Sequence, residues 1–276
     1  MSNEKEVVVI GAGGRMGGAI IRCLVSQQVA GLRLRGAVER SGTAAIGQDA
    51  GQLHGAPPAG IPVTSDLAAA LEGADVAIDF TTAAAATAHA SLLAGAGVAW
   101  VLGTTGFTAE QSAAVTTVGD RIPLVMAPNM SLGVNLLLQL VTEAARALAL
   151  GYDIEIVERH HRHKHDAPSG TALALGRAAA AGRGWELDQV SRHGRSGMVV
   201  TDRPEHEIGF HAVRGGDFVG DHTVILAGAG ESVELAHRAT SRDTFALGAL
   251  RAAAWAAGRA PGVYDMRAVL GLDQAP

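Results

Sequence analysis

The chain predicts an α/β protein: a parallel sheet covered by helices on both faces, followed by an α+β region. Three observations carry this expectation. Short β-branched runs alternate with alanine-rich stretches over the first 130 residues, and a glycine-rich turn joins the first run to the first helix. From Gly197 onward, strand patterns follow one another with few helices between them.

Val7-Val8-Val9-Ile10 reads as a buried strand, followed by the glycine turn and a helix reaching about Gln28. Leu32–Glu39 is the second strand, and the glycine- and proline-rich stretch Ser41–Pro62 reads as irregular. Asp75–Phe80, Val98–Leu102 and Ile122–Ala127 are further strands with helices in the gaps. Thr108-Ala109-Glu110-Gln111 offers one of those helices a capping box. After Ser131 the pattern changes. A long helix over about Leu132–Leu150 precedes the alternating strand Tyr152–Val157, and a helix follows Pro168. Strands are expected at Met198–Thr201, Glu207–Val213, Phe218–Ala227 and Ser232–Ala239, the alternation at Ile208–Val213 suiting a sheet with one covered face. Ser241–Gly258 is helical again, consistent with a return of the chain to the first domain.

Composition narrows the function. A hydrophobic content of 48% fits a folded globular protein, and a net charge of −5 argues against a nucleic-acid partner, since the positive charge is local. The longest apolar stretch, Leu132–Leu150, is broken by Gln139, Glu143 and Arg146, so no membrane span is expected. Met1–Glu6 is polar and shows no secretory-signal pattern, which makes a soluble cytoplasmic protein the expectation. The single cysteine, Cys23, excludes an internal disulfide; beside Ile20, Ile21 and Leu24 it reads as a packed thiol.

Gly11-Ala12-Gly13-Gly14-Arg15-Met16-Gly17 follows a strand and opens a helix, the setting of a dinucleotide-binding turn. Met16 stands where the third glycine of G-x-G-x-x-G belongs, so the spacing is better described by Gly11, Gly14 and Gly17. Small residues let the backbone approach a pyrophosphate, and the helix N-terminus supplies N–H groups and partial positive charge. Glu39, at the end of the second strand, can accept hydrogen bonds from ribose hydroxyls, while its neighbour Arg40 can meet a 2′-phosphate; NAD and NADP both stay open. The ends of the later strands, at Asp79–Thr81, Gly103-Thr104-Thr105 and Ala127-Pro128-Asn129-Met130, add close backbone approach and hydroxyl donors.

Residues 158–171 read Glu-Arg-His-His-Arg-His-Lys-His-Asp-Ala-Pro-Ser-Gly-Thr. Proton donors and cations are crowded beside a helix-opening turn, a combination suited to a small substrate carrying carboxylates that must gain or lose protons. A metal site on His161 and His165 has no completing cysteine or acidic pattern, and the neighbouring cations would repel a metal ion. A nucleic-acid patch would need a wider basic face with aromatics. A solvated charged loop leaves unexplained why the run flows into Ser169-Gly170-Thr171.

Together, the glycine turn, Glu39-Arg40, Gly103–Phe107, Asn129–Gly133, Glu158–Thr171, Gly216–His222 and Ser241–Phe245 resemble the dihydrodipicolinate (4-hydroxy-tetrahydrodipicolinate) reductase family of lysine and diaminopimelate synthesis. The resemblance implies a Rossmann-type, doubly wound domain over 1–130 and 241–276. It further implies an α+β substrate and tetramerisation domain over 131–240, built on a mixed sheet, in a homotetramer. The implied reaction is NADH- or NADPH-dependent reduction of a small cyclic dicarboxylate, hydride transfer being followed by protonation from His160. By the same resemblance Lys164 is the cationic partner and proton donor, and His161, Gly170 and Thr171 hold substrate carboxylate. Gly11, Ala12, Gly13, Gly14, Arg15, Met16, Glu39, Arg40, Gly103, Thr104, Thr105, Ala127, Pro128, Asn129 and Met130 are implied as dinucleotide contacts. His165 adds a titratable group where an apolar residue would be unremarkable. A non-catalytic dinucleotide sensor would need the glycine turn but not His160 and Lys164. A dehydrogenase of an amino-acid semialdehyde or imino acid is the other enzyme reading.

Overall fold

β-Branched and alanine-rich runs become alternating strands and helices. The computed structural model describes residues 4–198 and 201–272. In chain order come β1 (Lys5–Ile10), α1 (Arg15–Val25), β2 (Leu32–Val38), β3 (Val63–Thr64), α2 (Leu67–Leu71), β4 (Val76–Asp79) and α3 (Ala83–Ala96). Next are β5 (Ala99–Leu102), α4 (Ala109–Thr116), β6 (Pro123–Met126), α5 (Leu132–Ala147), β7 (Asp153–His160), α6 (Gly170–Arg183) and α7 (Leu187–Val190). The chain ends with β8 (Ser191–His193), β9 (Ile208–Arg214), β10 (Gly220–Gly228), β11 (Glu231–Ala239), α8 (Asp243–Ala256), β12 (Gly262–Tyr264) and α9 (Met266–Leu270). The described residues divide into two compact units: those up to Leu132 together with those from Asp243 on, and Gly133–Arg242.

The first unit is a seven-stranded sheet in the order β3-β2-β1-β4-β5-β6-β12, with every pairing parallel. Val7, Val8 and Val9 are fully buried, because β1 lies mid-sheet with a core on each face. On one face α1 and α8 pack Ile20, Ile21 and Leu24 against Ala246, Ala249 and Leu250. On the other, Leu67, Leu71, Leu93 and Val115 come from α2, α3 and α4. Thr108 caps α4 reciprocally with Gln111, the expected capping box. α1 stops at Val25, short of Gln28, because Gln27 turns left-handed (φ 52°) and the Gln28 N–H closes onto the Cys23 carbonyl at 3.0 Å. Cys23 is buried there, and its thiol is pushed up by burial and by Asp243, against Arg22. The stretch after β2 is largely irregular, as expected. Asp49 organises it by accepting from the N–H groups of Gly51, Gln52, Ala59 and Gly60 at 2.7–3.0 Å.

The second unit is a mixed five-stranded sheet, β11-β10-β7-β9-β8. β10 runs antiparallel to β7 and β11, whereas β9 is parallel to β7 and β8 is parallel to β9. Ile154, Ile156, Phe210, Val224 and Leu226 face a core shared with Leu137, Val141, Leu175 and Ala179 of α5 and α6. β7 runs three residues past Val157, to His160, because β9 keeps pairing with it as far as Arg214. The strand expected over 198–201 includes Val199 and Val200, which lie outside the described residues. β8, β12 and α9 carry no pattern that the sequence reading picked out.

On the opposite face of this sheet Glu155 accepts from Arg195 (2.8 and 3.1 Å), Arg203 (2.9 Å) and His211 (2.7 Å). Burial pushes its carboxyl up, but Arg195, His211 and Arg203 outweigh burial and hold it at about 2, against an ordinary 4.5. A carboxyl depressed in the folded state stabilises above its unfolded value and loses that contribution as the pH falls toward the folded one. Glu155→Gln is therefore expected to lower Tm by a few degrees at neutral pH. The gap from wild type should close between about pH 4.5 and pH 2 in thermal melts. A gap that persists at the acid end would assign the loss to packing instead.

Candidate active site

In the first unit, strand order reverses between β1 and β4, where crevices for ligands form at the carboxyl ends of parallel strands. A cavity of about 870 Å³ opens there. Gly11, Gly13 and Gly14 line it from the turn after β1, Glu39 and Arg40 from the end of β2, and Thr81 from the end of β4. Each turn glycine has its own reason. Gly11 has φ +78°, a Cβ on Gly17 would lie 2.1 Å from the Gly11 carbonyl oxygen, and Gly14 is the N-cap of α1 with no side-chain cap. The first-turn N–H groups of α1 are thus not satisfied by a capping side chain, as an anion site requires. Glu39 folds back on the turn: its Oε2 accepts from the Gly13 N–H at 2.9 Å and its Oε1 from the Arg40 N–H at 3.0 Å. Glycines that a Cβ would obstruct, an uncapped helix start and a strand-end carboxylate together fit a dinucleotide.

The remaining cofactor candidates occupy the same unit but do not line this cavity. Ala12 is buried, and its carbonyl accepts from His54 Nε2 at 2.6 Å. Arg15 is exposed and Met16 half-buried at the start of α1. Gly103, Thr104 and Thr105 follow β5. Thr104 Oγ1 donates to the Thr81 carbonyl at 3.0 Å, and a Cβ on Gly103 would strike the Phe80 ring at 2.1 Å. Ala127, Pro128, Asn129 and Met130 follow β6; Ala127 and Met130 are buried, and Asn129 Oδ1 accepts from the Ser131 N–H at 2.9 Å. Sequence reading named Asp79 without a role. It is fully buried and accepts from the Thr81 N–H (2.8 Å), the Thr81 hydroxyl (2.6 Å) and His89 Nδ1 (2.8 Å), while His89 lines the cavity.

In the second unit the cationic run is folded around the end of β7. His160 is its last residue, 8% exposed, with Nδ1 2.6 Å from Glu158 Oε2. Glu158, two residues earlier and therefore on the same face, also accepts from Arg214 and from the Ser169 N–H. His161 is half-buried; its N–H donates to the Phe218 carbonyl at 2.9 Å and its Nδ1 has no hydrogen-bond partner. Burial, then Arg242 and the neighbouring cationic groups, push its imidazole down. Lys164 Nζ pairs with Asp166 at 2.8 Å and its N–H closes a turn onto the His161 carbonyl at 3.1 Å. Gly170 and Thr171 form the first turn of α6, whose N-cap Ser169 accepts from the Ala172 N–H at 3.1 Å. Ser169 Oγ also meets His222 Nε2 at 3.0 Å. Burial, with His160 nearby, brings His222 down to about 4, leaving it neutral at ordinary pH. His160, His161, Lys164, Gly170 and Thr171 therefore come together in one neighbourhood. Among the described residues no group of three or more His, Cys, Asp and Glu is arranged to hold a metal, and no helix is long and apolar enough to cross a membrane.

Sequence reasoning missed Arg214 and gave no role to Glu158 or His222. Glu158 was recoverable, because it breaks the apolar series Ile154, Ile156 on the inward face of β7. Arg214 and His222, more than 50 residues away along the chain, had no local signal.

Comparison with known proteins agrees with this geometry. The family model described as "Dihydrodipicolinate reductase, N-terminus" matches residues 5–130, and "Dihydrodipicolinate reductase, C-terminus" matches 133–270. The chain is 54% identical over 267 residues to the 4-hydroxy-tetrahydrodipicolinate reductase of Anaeromyxobacter dehalogenans, covering 97% of this chain and 98% of that one. It is 52% identical over 267 residues to the protein of the same name from Thiobacillus denitrificans, again with 97% and 98% coverage. A solved structure of a dipicolinate-bound dihydrodipicolinate reductase from Paenisporosarcina sp. TG-14 shares the fold. Its TM-score is 0.76 at 23% identity, over 95% of this chain and 97% of that one. The chain belongs to the dihydrodipicolinate reductase family, and it is an oxidoreductase that reduces 4-hydroxy-tetrahydrodipicolinate with NADH or NADPH in the synthesis of lysine and diaminopimelate.

Proposed function

We propose that the first unit binds the dinucleotide, the second unit binds the dicarboxylate, and His160 is the acid that completes the reduction. The observation that carries this reading is a single, nearly buried imidazole at the end of β7, its ring held by a carboxylate, in the segment that also supplies Lys164 and the α6 N-terminus. NADH or NADPH supplies the hydride when bound. Gly11–Met16 with Glu39 and Arg40 hold the dinucleotide, and residues 103–105 and 127–130 close around its nicotinamide end. The substrate's 4-hydroxyl leaves as water, with a proton lost from the neighbouring carbon, to give a conjugated C=C–C=N ring. Once hydride has added to the far carbon of that system, His160 gives its Nε2 proton to the electron-rich carbon beside it. Lys164, His161, Gly170 and Thr171 hold the carboxylates, where a cation and a helix N-terminus both favour negative charge. The ion pair with Asp166 orients Lys164.

The test follows NADH and NADPH oxidation with freshly generated substrate in D₂O. One deuterium is expected in each product molecule, on the carbon adjacent to the hydride acceptor, and its uptake should slow with loss of His160. Deuterium uptake at an unchanged rate without His160 would assign the proton to another donor.

The chain also works as a cytoplasmic homotetramer in this reading. Its support is the face of the second sheet opposite α5 and α6, which presents Val157, Thr223, Ile225 and Val213 half-buried or exposed. Sedimentation should give about four times the 28.1 kDa chain mass; a monomer in solution would remove this part.

A further inference from the structure

The inward face of β7 reads Ile154, Ile156, Glu158, His160. A carboxylate thus occupies the position where the pattern would extend the apolar core, and it is only 1% exposed. Such a group persists only when its oxygens are filled. Here four donors fill them. Arg214 makes a two-pronged pair, Nη1 to Oε2 and Nη2 to Oε1, both at 2.7 Å; the Ser169 N–H reaches Oε1 at 3.0 Å, and His160 Nδ1 reaches Oε2 at 2.6 Å. Burial pushes the Glu158 carboxyl up, but Arg214, His160 and the Ser169 N–H outweigh it and hold it below the usual range.

An ionised carboxylate can only accept, so the hydrogen shared with His160 resides on Nδ1. Nε2 is then the atom left to exchange a proton. It faces Gly220, where an added Cβ would stand 3.0 Å away, so the absence of a side chain there keeps the approach open. The His222 ring, 5.1 Å from that of His160, bonds to Ser169 and not to His160, and so does not compete for Nε2. Arg214 Nη2 also donates to the Asp166 carbonyl at 2.6 Å, tying the same clamp to the loop that carries Lys164.

We propose that Glu158, clamped by Arg214, is the positioning residue for proton transfer: it fixes the tautomer and ring orientation of His160 so that Nε2 alone delivers the proton. The proposal rests on the reading of His160 as the acid. Glu158 acts through His160 and takes no proton itself, as orienting partners of active-site imidazoles do elsewhere.

The test is a kinetic cycle on the full-length enzyme with Glu158→Gln, His160→Gln and the double variant, alongside ¹⁵N NMR of the imidazoles. Glu158→Gln is expected to lower kcat about 10–100-fold with cofactor KM unchanged. The double variant should be no slower than His160→Gln alone, because both changes remove one function. In wild type the ¹⁵N signals should show the hydrogen held on His160 Nδ1, with Nε2 as the exchanging nitrogen, and in Glu158→Gln this distinction should be lost. Glu158→Asp should recover part of kcat and Glu158→Ala none. If Glu158→Gln fails to fold, Arg214→Lys serves in its place: it keeps the charge but loses the two-pronged contact, and should show an intermediate loss with the same non-additivity. Full activity in the clamp variants while His160→Gln is crippled would overturn the proposal and leave His160 in its role. Losses that multiply in the double variant would also overturn it. Undiminished turnover of His160→Gln would instead remove the reading beneath it.

Discussion

Replacing His160 with glutamine is expected to lower kcat about 10²–10⁴-fold, the range a positioned general acid contributes, while NADH and NADPH bind as in wild type. Glutamine has nearly the reach of the imidazole but no proton to give at neutral pH. The cavity next to the glycine turn draws no residue from β7, so cofactor affinity has no reason to change. The fold should tolerate the exchange, since Glu158 retains Arg214 and the Ser169 N–H. Steady-state rates with saturating cofactor, together with a fluorescence titration of NADH, separate the two effects. If kcat and cofactor affinity fell together, the loss would be one of folding, and unchanged kcat would remove the residue from the chemistry.

Gly17→Ala is expected to act in the opposite sense, on cofactor binding more than on chemistry. A Cβ at Gly17 would lie 2.1 Å from the Gly11 carbonyl oxygen and 3.0 Å from Ala12 Cα. Both neighbours are backbone, so no rotamer change relieves the clash. α1 must then move off the turn, and the Gly11–Gly14 backbone loses the shape that receives a pyrophosphate. Overpacking of this kind costs about 1–3 kcal/mol, and a similar loss in binding corresponds to about a 5–150-fold weaker dinucleotide. Gly95→Ala is the matched control: it lies exposed in α3 with nothing within 4 Å of its added Cβ, and should stabilise the fold by up to about 1 kcal/mol. Calorimetric titration with NADH and thermal melts of both variants check the pair. Normal cofactor affinity in Gly17→Ala would show that the turn does not depend on this close approach.

Much of this was legible along the chain because its causes are local. Val7–Ile10 can bury both faces only as an inner strand, and Gly11, Gly14 and Gly17 announce a turn where backbone must come close. The reciprocal cap at Thr108 and Gln111 was visible for the same reason: partners three residues apart meet in any helix that forms there. Element ends were less legible. α1 stops early at a left-handed Gln27, a residue type with no strong preference for that conformation. β7 runs on past Val157 because β9 and β10, brought alongside from more than 50 residues later, keep pairing with it, β9 as far as His160.

The candidate site divides along the same line. Its residue types, His160 to Lys164 followed by a helix-opening Ser169-Gly170-Thr171, were determined by the sequence, since they lie within one short segment. The identity of what grips them was decided only by tertiary structure. Arg214 reaches Glu158 because β9 runs parallel to β7, and His222 reaches Ser169 because β10 runs antiparallel to β7 on its other side. Alternation along a strand says which face a side chain takes but not which strand will lie next to it. That neighbour is chosen by the burial of the whole unit, a long-range balance that no window of sequence contains.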